Sequence, residues 1–98
     1  MKMFIDTHDK DHGSFPAGIS RLEFAGFYKN YLEACQAEGV LSMRIHVGLE
    51  EGRAFCVNLA PDADAVRRAH ERVGLAFDTI TEVTDASAFD LFSQSVVA

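Results

Sequence analysis

Four stretches of the chain, at 2–8, 41–48, 53–59 and 78–84, alternate apolar and polar residues, and two others repeat apolar residues every three or four positions. Period two belongs to strands and a period near 3.6 to helices, so the pattern predicts the order β-α-β-β-α-β. The first helix carries its own start signal: Ser20 and Glu23 have the spacing of a capping box, with Ile19 and Phe24 placed as a hydrophobic staple. Gly39 supplies the stop. Leu22, Ala25, Tyr28, Leu32 and Cys35 form the expected inner stripe, and Phe24, Phe27 and Tyr31 widen it beyond what one sheet contact needs. Pro61 and Asp62 open the second helix, Ala65, Val66, Ala69 and Val73 are its inner stripe, and Gly74 ends it. A polar loop punctuated by Gly and Pro follows the first strand.

The central hairpin sets the expected faces. If Glu50, Glu51 and Gly52 form a three-residue loop, Ile45 faces Val57, Val47 faces Phe55, His46 faces Cys56 and Arg44 faces Asn58. A two- or four-residue loop would mix polar and apolar residues on both faces, because a one-residue slip turns every side chain over. The three-residue loop therefore predicts one apolar face, with Met3, Ile5, Met43 and Leu59 also directed at the core. It gathers Asp6, His8, Arg44, His46, Cys56, Asn58 and Glu82 on the opposite, open face.

This order with a tight central hairpin is the split βαβ, or ferredoxin-like, α+β arrangement. Right-handed crossovers place both helices on one side of an antiparallel four-stranded sheet, and the bare side is expected to close against a second copy as a dimeric α/β barrel. The 98 residues make one domain, with 84–98 as a C-terminal extension. Phe89, Leu91, Phe92, Val96 and Val97 predict a short packed helix there. A formal charge of -6 with scattered basic residues argues against nucleic acid as a partner. No signal peptide or membrane span is legible, so a cytoplasmic location is expected, with Cys35 and Cys56 as reduced thiols kept apart by the sheet.

The chemistry lies in the polar half of the alternation. Asp6 and His8 sit two apart on a strand, and a carboxylate beside an imidazole either fixes a tautomer or holds a metal. His46 and Cys56 would complete an N/S/O ligand set suited to nickel, copper or zinc rather than magnesium or calcium. The expected metal ligands are Asp6, His8, His46 and Cys56, with Arg44, Asn58 and His70 as further binding groups. The rival reading is a cofactor-free isomerase or oxygenase acting on a small carbonyl compound, with His8 as base, Asp6 orienting it and Arg44 holding the anion. A third is a non-catalytic interaction module whose polar residues serve a homodimer interface.

At FIDTH near the start, and through EGVLSMRIHVGLEEGRAFCVNLAPDADAVRRAHERVGL to DTITEV, the chain resembles a family of small ferredoxin-like proteins of unknown function that includes an actinobacterial nickel-binding protein. The resemblance runs over about residues 3–83 and rests on Asp6 with His8, the Gly52 turn before Phe55 and Cys56, the Ala60–Pro61 helix start and His70. It implies a homodimer and puts nickel first among the candidate metals, zinc or copper next. The chain has Tyr28 and Tyr31 where members tend to carry a His and an Asp, lacks a second His near Val73, and has Leu59 in place of an acidic residue. It gains His46 where an aromatic residue is usual.

Overall fold

The computed structural model describes residues 1–89, and the expected C-terminal helix, with Leu91, Phe92, Val96 and Val97, falls outside the described residues. Strand β1 is Lys2–Asp9, helix α1 Arg21–Ala37, β2 Leu41–Gly48, β3 Arg53–Ala60, α2 Ala63–Arg72 and β4 Thr79–Val83, with a 3-10 turn at Lys10–His12. The sheet order is β2-β3-β1-β4 and every pairing is antiparallel. This is the ferredoxin-like βαββαβ plan, with both helices on one side of the sheet.

Each helix begins where its sequence says. The Ser20 hydroxyl accepts from the Glu23 N–H while the Glu23 carboxylate accepts from the Ser20 N–H, closing the capping box. Asp62 caps α2 by accepting from the Ala65 N–H. The buried stripe of α1 is Tyr31, Ala34 and Cys35, whereas Leu22, Phe27 and Leu32 of the expected stripe stay exposed. On α2 the inner face is Ala65, Val66, Ala69 and His70, with Val73 more exposed. Small residues dominate the helix–sheet contact, and the main core cluster joins Phe4, Tyr31, Cys35, Val40, Ala60, Ala65, Val66 and Ala69. Arg68 and Arg72 both clasp Glu38, tying α2 to the C-terminus of α1.

The face assignment of the sheet is the reverse of the expected one on β1 and β3. Phe4, Asp6 and His8 on β1, and Ala54, Cys56, Asn58 and Ala60 on β3, are buried beneath the helices. Met3, Ile5, Phe55, Val57 and Leu59 occupy the open face and are half-buried. Period two separates two faces but carries no label for which one the helices cover.

Strand β2 breaks the alternation. The hairpin loop has four residues, Leu49 to Gly52, so Gly48 pairs with Arg53, His46 with Phe55, Ile45 with Cys56 and Arg44 with Val57. Gly52 takes a left-handed φ of 70° and its N–H donates to the Gly48 carbonyl, closing that longer turn. A register shift between Ser42 and Arg44 moves the pairing by one further residue, to Ser42 opposite Asn58 and Leu41 opposite Leu59, which restores the parity but not the expected partners. Mixed faces result: Ile45 and Val47 join the helix side, while Arg44 and His46 stand exposed on the open side. The expected pairs His46–Cys56 and Arg44–Asn58 are not formed.

Candidate metal centre

Three buried side chains converge at the centre of the helix-covered face. Asp6 comes from the middle of β1, His8 from two residues further on, and His70 from the last turn of α2, and one ligand atom from each lies within 4.8 Å of the others. Asp6 and His70 are fully buried and His8 is 4% exposed. The Nε2 atoms of His8 and His70 both approach the same carboxylate oxygen, Asp6 Oδ2, at 2.7 and 2.9 Å. The other oxygen, Oδ1, accepts from Asn58 Nδ2 at 2.6 Å, and Asn58 Oδ1 in turn accepts from the Tyr31 hydroxyl at 3.4 Å. The two imidazoles stack with their centroids 5.4 Å apart, and Tyr31 and Phe77 pack on His70.

The far side of each ring determines what the near side can do. His8 Nδ1 donates to the carbonyls of Ala76, at 2.7 Å, and Ser14, at 3.1 Å, and His70 Nδ1 donates to the Val66 carbonyl at 2.8 Å. Carbonyls only accept, so both Nδ1 atoms carry their protons and both Nε2 atoms are the variable ones. A neutral ring would aim a lone pair at an ionised carboxylate oxygen. The arrangement is therefore satisfied by a proton on Nε2 or by a cation among the three groups.

Electrostatics follow the same logic. Burial alone would raise the Asp6 pKa, but hydrogen bonds from His70 and His8 and their charges outweigh it and bring it down to about 2. Burial alone would lower His8, yet the hydrogen bond and charge of Asp6, with the Ala76 and Ser14 carbonyls, raise it above its ordinary value. Cys56 Sγ lies 3.7 Å from His8 Nε2, but burial and then the Asp6 charge push its pKa far up, which leaves it a thiol in the metal-free protein. Tyr31 is pushed up likewise, first by burial and then by Asp6. No buried side-chain N or O atom among the described residues lacks a partner. That completeness explains how an acid and two imidazoles tolerate the interior.

The structure thus brings together Asp6, His8, Cys56, Asn58 and His70, and it sets Arg44 and His46 on the opposite face beside Met3, Ile5, Phe55 and Val57. Arg44 and His46 cannot reach the centre, and the centre is not on the open sheet face. Glu82 shares the covered face by register but sits at the exposed end near Lys2. Cys56 and Cys35 both lie on the helix side, so the sheet does not separate them; both are free thiols. His70 was legible as a binding residue one turn after Val66; what the sequence hid is that it meets Asp6 directly. The loop after β1 holds a second polar set: Ser14 Oγ donates to Asp78 at 2.6 Å, and His12 Nδ1 lies 2.8 Å from the other Asp78 oxygen. Those contacts fasten the loop beneath which the Ser14 carbonyl meets His8.

No curated protein matches the chain. Among solved structures, the crystal structure of SCO4226 from Streptomyces coelicolor A3(2) is similar, with a TM-score of 0.74 and 28% sequence identity over 87% of this chain and 99% of that one. A family model described as nickel responsive protein SCO4226-like matches residues 4–83, a span that includes Asp6, His8 and His70. The βαββαβ fold and this match agree, and the chain belongs to the SCO4226-like family of nickel-responsive proteins.

Proposed function

We propose that the protein binds a divalent transition metal, nickel first and zinc or copper next, through Asp6, His8 and His70. The observation that carries this reading is the shared approach of two imidazole Nε2 atoms to one carboxylate oxygen, with both Nδ1 protons committed to backbone carbonyls. Outer hydrogen bonds of that kind fix the tautomer that a metal-ligating histidine needs. Cys56 Sγ, 3.7 Å from His8 Nε2, is a further donor beside this set. His46, from the expected ligand set, serves the other face. The description of the family as nickel-responsive supports nickel over the alternatives.

Titration of metal-free, untagged protein with nickel tests this. One ion per chain is expected, and His8→Ala and His70→Ala should each weaken binding by about 10²-fold or more, whereas His46→Ala should leave it unchanged. Equal loss in His46→Ala, or none in His70→Ala, overturns the ligand set.

The open face supports a homodimer as the working form. Leu41 and Met43 are exposed there, and Met3, Ile5, Phe55, Val57 and Leu59 are only half-buried, an apolar surface that a second copy would cover. Arg44 and His46 would then be interface groups. Val57→Lys should yield a monomer by sedimentation with nickel binding retained; an unchanged mass sinks the sheet-to-sheet assembly. Two free buried thiols fit a reducing, cytoplasmic location. No helix among the described residues is long and apolar enough to cross a membrane.

A further inference from the structure

A cavity of about 350 Å³ opens beside the polar centre, bounded by the loop after the 3-10 turn, the first half of α1, the segment Gly74–Ala76 and the covered face of the sheet. We propose that it binds a small, uncharged aromatic molecule on the order of ten non-hydrogen atoms, a size suited to the lower end of ligand pockets. This reading does not rest on the metal, although His8 and Cys56 form part of the cavity wall.

Three observations lead to that class. The walls are rings and aliphatic groups, with Phe15, Phe24 and Phe27 prominent, and Phe27 stands 58% exposed at the rim. Such edges and faces favour an aromatic guest. Among the described residues no Lys, Arg, Asp or Glu lines the space, in a chain with nine basic and fifteen acidic residues, and His8 on its wall is already paired with Asp6, so a charged guest would find no free counter-ion. The side chains of His8, Ser14, Tyr28 and Tyr31 on its wall are already engaged: His8 with Asp6 and two carbonyls, Tyr28 with Ser42 at 3.2 Å, Ser14 with Asp78, Tyr31 with Asn58. Water in this space would find few partners, and an apolar occupant displaces it at little cost. Ala54 makes the room, since its small side chain lies on the sheet floor between larger neighbours.

Indole is a suitable probe because the chain contains no tryptophan, so its emission reads binding directly. Titrating full-length protein into indole should give saturable, blue-shifted emission with one site per chain. Tryptamine and indoleacetate should bind about tenfold or more weakly, because each would bury an unpaired charge. Ala54→Leu fills the cavity from its floor and should abolish saturable binding; Ile45→Phe fills it from the wall and serves should the first variant fail to fold, which thermal melts will show. Unsaturable uptake, equal binding of the charged analogues, or undiminished binding in folded filled variants overturns the proposal. Nuclear Overhauser contacts from the Ala54 and Ala76 methyls to residues 90–98 in place of indole would do so too, by making the chain its own occupant.

Discussion

Replacing Asp6 by alanine is expected to destabilise the metal-free protein by about 3–5 kcal/mol, most of the margin of a domain this size. The loss comes from what remains behind. Asp6 is the common partner of His8 Nε2, His70 Nε2 and Asn58 Nδ2, and all three side chains are buried. Removing the carboxylate leaves two imidazole Nε2 atoms and one Asn58 N–H without a partner, in a space bounded by Cys56 and Tyr31 that offers no charge. Urea denaturation of the chelated wild type and variant measures the difference. A change under about 1 kcal/mol would mean that the three groups are not held by Asp6, since truncating one partner of a buried pair costs more than that.

The same centre shows what a sequence can and cannot say. Helix starts were legible because capping is local: Ser20, Glu23 and Asp62 act within four residues of themselves. The order and topology followed from periodicity and the short hairpin, and Asp6, His8, Cys56 and Asn58 were rightly grouped on one face of β1 and β3. Which face lies under the helices is a non-local fact. The usual rule, apolar inward, fails here because the polar residues satisfy one another, and the inward face of the sheet otherwise carries Phe4 with the small Ala54 and Ala60, met by Ala65 and Ala69 of α2. An open face that awaits a covering surface can be the more apolar one. A single residue of loop length turns His46 away from Cys56, and the irregularity between Ser42 and Arg44 adds a second residue of shift that restores the parity alone. His70 reached the site through the packing of α2 on the sheet, which no strand pattern encodes.

Acidity should act differently on the metal-free and nickel-loaded proteins. In the metal-free protein the Asp6 pKa, lowered from 3.8 to about 2, adds stability that is complete above 3.8 and lost as the pH falls through about 2. At about 1.4 kcal/mol per unit that is about 2 kcal/mol. His8 is raised above 6.5, so its contribution is complete below 6.5 and lost as the pH climbs through its folded value. Stability should therefore peak between 3.8 and 6.5 and decline towards alkaline pH. Nickel needs the lone pair that the proton occupies, so its stabilising increment should grow over the same alkaline step. Thermal melts with and without nickel across that range check both slopes, and parallel curves would remove the competition between proton and metal. Asp6→Asn sharpens the test, because an amide nitrogen in place of Oδ2 can donate one proton to each neutral Nε2 while its oxygen still accepts from Asn58. The variant should stay folded, lose the alkaline decline and bind nickel far more weakly, since the imidazoles no longer need a cation between them and the anionic ligand is gone.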